Sequence, residues 1–134
     1  MIYLIDDDKS VRRAFEIFLR SADLNYKSLE SAEEFLSIFK PNGKDLLVLD
    51  LNMPGITGCD LLKKFMREGI HLPVIAVTGF DEQKYRECCR EYGVIAYLRK
   101  PVDGEALIDL IKYNLDIHIP TNNNISSQSK RSNV

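Results

Sequence analysis

Four stretches of this chain run apolar and then stop at a residue that can do chemistry. Leu46-Leu47-Val48-Leu49 ends at Asp50, and Ile2-Tyr3-Leu4-Ile5 ends at Asp6, Asp7 and Asp8. Val74-Ile75-Ala76-Val77 ends at Thr78, and the run Val94 to Leu98 is followed closely by Lys100. Carboxylates, a hydroxyl and an ammonium thus recur at one kind of place. Two carboxylates about 4 Å apart repel by roughly 4 kcal/mol at an effective dielectric near 20, so Asp6, Asp7 and Asp50 at one mouth need compensation. Mg²⁺ suits them because it takes oxygen ligands and keeps several waters. Lys100 adds a further positive charge. Phosphoryl transfer asks for positioning and charge neutralisation more than for acid–base work. A carboxylate is ordinarily ionised at neutral pH, so Asp50 is expected to need no activating base. The set is suited to holding Mg²⁺ and accepting a phosphoryl group.

Each member alone has a plainer use. Asp8 reads as a helix cap, Thr78 as a satisfied strand-end hydroxyl, and Lys100 as a solvated surface charge. An aspartate after an apolar run is often a turn former, and Met53-Pro54-Gly55 follows Asp50 closely. What separates the group from its parts is shared position. Open α/β sheets bind ligands beyond the carboxyl ends of their strands, and these residues all fall there.

The elements that must hold them alternate strand and helix five times. Strands are expected at about 2–6, 26–29, 45–50, 74–77 and 94–98. The first helix presents Val11, Ala14, Phe15, Phe18, Leu19 and Ala22 on one face. Ser31-Ala32-Glu33-Glu34 has the form of a capping box opening the second. Leu61, Leu62, Phe65 and Met66 mark the third, with Gly69 placed to end it. Asp81 is expected to cap the fourth and Gly93 to close it in the left-handed conformation. The fifth is expected over about 103–115. Strands apolar throughout, separated by amphipathic helices, imply a parallel sheet covered on both faces, with right-handed crossovers. The half-polar Tyr26 to Leu29 suits a sheet edge.

One domain over residues 1–115 and a polar, patternless tail or linker over 116–134 account for the whole length. The net charge of −2 gives no electrostatic argument for nucleic acid or an anionic membrane. No apolar stretch approaches the about 20 residues of a membrane span. The start Met1-Ile2-Tyr3-Leu4-Ile5-Asp6 is too short and too acidic for a signal peptide, so a cytoplasmic location is expected. Cys59, Cys88 and Cys89 have no metal-type spacing. Cys88 and Cys89 share a helical stripe with Tyr85 and Tyr92, so the reading is two small apolar core residues without redox or metal chemistry. His71 and His118 fall in a helix–strand loop and in the tail, away from the four strand ends.

With those residues in place, the chain resembles the receiver domains of two-component response regulators over about residues 1–115. The motifs that carry the resemblance are Asp6-Asp7, Asp50 with Met53-Pro54-Gly55, Thr78, and Tyr97 with Lys100-Pro101. Val11-Arg12-Arg13-Ala14, Ser31-Ala32-Glu33-Glu34-Phe35-Leu36 and Thr78-Gly79 look most like the nitrogen-fixation-type branch of transcriptional regulators. The resemblance implies a flavodoxin-like five-stranded parallel sheet in order 2-1-3-4-5 with helices on both faces. It implies Asp50 as phosphoacceptor and Asp7 as a direct Mg²⁺ ligand, with Asp6 acting mainly through a bound water and Asn52 giving a backbone carbonyl. Lys100 would clamp one phosphoryl oxygen and Thr78 another, Tyr97 would be the switch aromatic, and the Lys100–Pro101 bond would be cis. A sensor histidine kinase would be the donor, and the surface of residues 82–99 a partner or homodimer face, with transcription control downstream. Tyr92-Gly93-Val94 and Val102 depart from the common pattern, which has Ala-Gly-Ala and Phe at those places.

Three other readings compete. A dehalogenase-type phosphatase also uses a nucleophilic aspartate with Mg²⁺, but needs a second aspartate two positions on, where this chain has Asn52. A flavodoxin-like cofactor binder needs a phosphate loop after the first strand, where Asp6-Asp7-Asp8 would repel the phosphate. A binding module independent of phosphorylation would have no need of the intact acidic set.

Overall fold

The computed structural model describes residues 1–117. Its elements are β1 (Ile2–Ile5), α1 (Lys9–Ser21), β2 (Tyr26–Leu29), α2 (Ala32–Ile38), β3 (Leu46–Asp50), α3 (Gly58–Glu68), β4 (Val74–Thr78), α4 (Gln83–Tyr92), β5 (Ala96–Arg99) and α5 (Gly104–Ile117). All neighbouring strands pair parallel, in the order β2-β1-β3-β4-β5. Among the described residues no helix is long and apolar enough to cross a membrane.

Alternation along the strands divides the core in two. Leu47, Leu49, Val74 and Ala76 face α2, α3 and α4 and pack with Phe35, Leu61, Leu62, Phe65 and Tyr85. Ile2, Leu4, Leu46, Val48, Ile75 and Val77 face the other way, onto Phe15 and Leu19 of α1 and Leu107 and Ile111 of α5. Burial on both faces explains why β3 and β4 read as unbroken apolar runs. Truncating one of the fully buried rings, Phe35 or Phe65, should cost roughly 3–5 kcal/mol.

The helix ends agree with the sequence in several places. Asp8 caps α1 by accepting from the N–H groups of Ser10 and Val11, and Gly69 and Gly93 close α3 and α4 with φ of +68° and +83°. Elsewhere the chain differs. Ser31 accepts from the Glu34 N–H, but the Glu34 carboxylate accepts from Glu30 rather than Ser31, so the box is displaced by one residue. A reciprocal box forms instead at α3, between Thr57 and Asp60. Asp81 caps nothing. Glu82 occupies the start of α4 without a side-chain cap, because Asp81 is held by Arg86 and Tyr97. β5 begins at Ala96 rather than Val94, and α5 runs to Ile117, past the expected end at 115. The rest of the expected tail, from 118 onward, lies outside the described residues. The cysteine reading needs correction. Cys89 is a buried core thiol, but Cys88 is joined to Cys59 in a disulfide between α4 and α3. Twenty-nine positions separate the two, and only the packing of α3 on α4 brings them together.

Candidate functional site

Parallel register assembles the site. Ile5 lies beside Leu49, so the next residues, Asp6 and Asp50, emerge side by side. Thr78 lies beside Arg99, and the Lys100 N–H donates to the Thr78 carbonyl at 2.8 Å, which sets the lysine stem next to the same mouth. Asp6, Asp50 and Thr78 are only 1%, 3% and 0% exposed, so these polar groups are held out of bulk water.

The Lys100 ammonium bridges the two buried carboxylates, with Nζ 2.9 Å from Asp6 Oδ2 and 3.5 Å from Asp50 Oδ1. Asp6 is anchored from α1. Its Oδ1 accepts from the Asp8 N–H at 2.9 Å, and its carbonyl accepts from Arg12 Nη1 at 2.7 Å. Asp50 Oδ1 accepts from the Asn52 N–H at 3.3 Å. Asp7, which is exposed, completes the cluster, and one carboxylate oxygen from each of Asp6, Asp7 and Asp50 lies within 4.8 Å of the others.

Electrostatics at Asp50 run against the expectation of an unaided ionised carboxylate. Burial first and the Asp6 charge second push its carboxyl up to about 7, against the opposing pull of Lys100 and the Asn52 N–H. Lys100 moves upward as well. Burial alone would lower it, but Asp6 and Asp50 overcome that and hold it charged. One lysine therefore offsets only part of the repulsion among three carboxylates.

A hard divalent cation would offset the remainder, and the donor set fits one. All candidate ligands are oxygens. Asp6 Oδ2 is buried and meets Lys100 as an ion pair without a well-aligned hydrogen bond, which leaves it open to a further partner. The exposed carboxylate of Asp7 provides an approach from solvent.

Thr78 and Tyr97, the switch residues expected from the resemblance, are bonded apart from the acidic cluster. The Thr78 hydroxyl is spent within its own loop, donating to the Phe80 carbonyl at 2.7 Å and accepting from the Phe80 N–H at 3.0 Å. Tyr97, half-buried on β5, donates its hydroxyl to Asp81 Oδ1 at 3.1 Å, and Arg86 pairs with the same oxygen. The Arg86 hydrogen bond holds Asp81 below the usual carboxylate range, while burial and Asp81 push the Tyr97 phenol up to about 12. The structure thus brings Asp6, Asp7, Asp50 and Lys100 together and leaves Thr78 and Tyr97 on a separate set of bonds. Asn52 follows Asp50 with its side chain exposed, and the Lys100–Pro101 bond is cis.

Sequence reasoning missed two positioning residues. Gly58 lies against the end of β3, where an added Cβ would come 2.7 Å from Leu51 Cα and 2.8 Å from the Asp50 carbonyl. Its signal was only a glycine opening a helix soon after the acidic strand end. Arg12 stands out in the sequence only as part of a family-like segment, and nothing in its spacing points to the Asp6 carbonyl.

Comparison with known proteins fits this geometry. Residues 2–112 match the response regulator receiver domain family. The transcriptional regulatory protein FixJ of Azorhizobium caulinodans is 33% identical over 114 residues, covering 85% of this chain and 54% of FixJ. Nodulation protein W of Bradyrhizobium diazoefficiens is 31% identical over 111 residues, covering 83% of this chain and 49% of that protein. The chain spans about half the length of these relatives. Among solved structures, FixJ-N superposes with a TM-score of 0.76 at 26% identity, covering 90% of this chain and 95% of FixJ-N.

Proposed function

The chain belongs to the response regulator receiver family, and from that premise we propose that it accepts a phosphoryl group from a sensor histidine kinase on Asp50 and converts the event into a changed output surface. The observation that carries the reading is the buried Asp50 carboxylate held among Asp6, Asp7 and the Lys100 ammonium at one sheet mouth.

In the transfer, an Asp50 oxygen forms the new bond to phosphorus as the bond from phosphorus to the donor imidazole nitrogen breaks, giving an acyl phosphate. Lys100 is placed to meet the oxygens that gain charge. Asp6, Asp7, Asp50 and the Asn52 backbone carbonyl would hold Mg²⁺. The chemistry such an ion supplies is neutralisation of the acidic mouth and of the incoming phosphoryl charge. The reaction acts on the protein itself, so no external metabolite is turned over.

The consequence follows from the bonds that Thr78 and Tyr97 now make. A phosphoryl oxygen on Asp50 competes with Phe80 for the Thr78 hydroxyl. Movement of Thr78 toward Asp50 opens space that Tyr97 fills by leaving Asp81. The bistable unit is then the β4–α4 loop with α4 and β5, and its exposed charges, Arg86, Glu87, Arg90, Glu91 and Arg99, face the partner or a second copy. By likeness to the transcriptional regulatory protein FixJ, the output is transcription control, through protein contacts rather than nucleic acid binding by residues 1–115, and the place of action is the cytoplasm. The residues after α5 serve as a tail or linker.

Beryllofluoride, a phosphoryl mimic, tests the reading. We expect Mg²⁺-dependent binding of one equivalent to the wild-type protein and none to Asp50→Asn. Equal binding by both would overturn it.

A further inference from the structure

Cys59 and Cys88 lie outside the acidic site, and the phosphoryl chemistry makes no use of either. Cys59 is in the first turn of α3, next to Gly58, whose backbone lies against Leu51 and the Asp50 carbonyl. Cys88 is mid-way along α4, the helix that moves with Tyr97 on the reading above. In the bridged form their Cα atoms are 5.8 Å apart, near the commonest spacing for a cystine. The crosslink encloses β4, Thr78 and the Asp81 loop, which is the segment between the phosphoacceptor and the output helix.

We propose that Cys59 and Cys88 form a reversible dithiol–disulfide site that takes low-molecular-weight disulfides as oxidant, and that its oxidised form fastens α4 to α3. Exposure sets the order of events. Cys59 is half-buried, whereas Cys88 is buried with its Sγ turned to the Tyr85 carbonyl at 3.3 Å. The Cys59 thiolate attacks one sulfur of RSSR, whose S–S bond breaks, and RS⁻ leaves and takes up a proton. The Cys88 thiolate then attacks the Cys59 sulfur of the mixed disulfide and expels the second RS⁻. Two protein thiols become one disulfide, and RSSR is reduced to two RSH. Cys89 is the built-in control. It is adjacent in sequence yet paired with neither of the other two cysteines, a free thiol that burial pushes up to about 11, so it takes no part.

The functional consequence rests on the receiver reading, since it is the phosphoryl-driven movement of α4 that the crosslink would hold back. A cell under thiol-oxidising conditions would thereby mute the output of a phosphorylated protein without touching Asp50.

The test equilibrates the full chain in glutathione buffers from reducing to oxidising, then applies non-reducing peptide mapping and amide hydrogen exchange with and without beryllofluoride and Mg²⁺. Expected are a Cys59–Cys88 linked peptide that appears with oxidation and disappears with reduction, and α4 amides that exchange at least about fivefold more slowly in the oxidised protein. Beryllofluoride should alter α4 exchange in the reduced protein and in Cys59→Ser under all conditions, but not in the oxidised wild type. Cys89→Ala should behave as wild type. Absence of the linked peptide, or α4 exchange equal in both redox states, would overturn the proposal. A beryllofluoride response missing in every variant and redox state would instead overturn the phosphoacceptor reading, because the redox comparison of α4 needs no beryllofluoride.

Discussion

The carboxyl edge of the sheet holds two polar clusters of opposite build. Around β1 and β3, Asp6, Asp50 and Lys100 are buried, tied to the backbone and pressed together at the cost of raising Asp50. Around β4 and β5, Asp81, Arg86 and Tyr97 form an open set near solvent, resting on a loop and a helix whose first turn lacks a side-chain cap. The first cluster is preorganised to bind charge and has little freedom. The second is cheap to rearrange, because exposed ion pairs contribute little and their partners are readily replaced by water. Thr78 stands between them, fully buried, with its hydroxyl bonded only within its own loop. On the proposed function, an event in the rigid cluster would be reported by the loose one through this single hydroxyl.

This division predicts that changes in the buried cluster stop the chemistry, while changes in the exposed one redirect its report. Lys100→Ala should have the largest effect. It leaves Asp6 and Asp50 facing each other uncompensated, so phosphoryl incorporation from acetyl phosphate should fall about 100-fold or more. A rate within a few-fold of wild type would remove Lys100 from the reaction centre.

Gly58→Ala should come next. The new methyl meets backbone that cannot yield cheaply, so the end of β3 must shift, costing roughly 1–3 kcal/mol in a denaturation experiment. Phosphorylation should slow about tenfold through misplacement of Asp50 rather than loss of a reacting group.

Proton linkage gives a third test. Asp50 titrates near 3.8 when unfolded and about 7 in the metal-free native protein. Between those values the native state keeps a proton that the unfolded chain has released, so the Asp50 contribution lowers stability as pH rises through that window. Asp50→Asn should therefore raise the thermal midpoint in chelator at about pH 8, by on the order of 2–4 kcal/mol in stability, with little gain at about pH 4. Added Mg²⁺ should stabilise the wild type most where Asp50 is ionised. A wild-type pH profile superposable on that of Asp50→Asn would contradict this.

The smallest effect on chemistry should follow Asp81→Asn, which frees Tyr97 and Arg86. Phosphorylation should stay within about twofold of wild type, while the β4–α4 loop and α4 exchange amides faster before any phosphorylation. A large loss of phosphoryl transfer would show that the two clusters are not separable.

The rigid cluster was legible in the sequence and the loose one was not, for a physical reason. Asp6 and Asp50 follow apolar runs whose pairing is dictated by burial on both faces, and Lys100 closely follows the half-buried β5, so their convergence follows once the parallel order is set. Asp81 follows no such run. As a helix opener it matched the local preference for a capping aspartate, but in the fold Arg86 and Tyr97 outcompete the free N–H groups of α4. The disulfide was hidden likewise, because a stripe containing Cys88 fixes the buried face of α4 without revealing what α3 brings to it. The elevated Asp50 carboxyl depends on the depth of burial and the distance to Asp6, neither of which a strand-end motif encodes.

Whether phosphorus lands on Asp50 is decided by the intact mass of the protein after treatment with acetyl phosphate and Mg²⁺. A single phosphoryl adduct is expected on the wild-type protein, removed by mild base and absent from Asp50→Asn. Equal labelling of both proteins would contradict it.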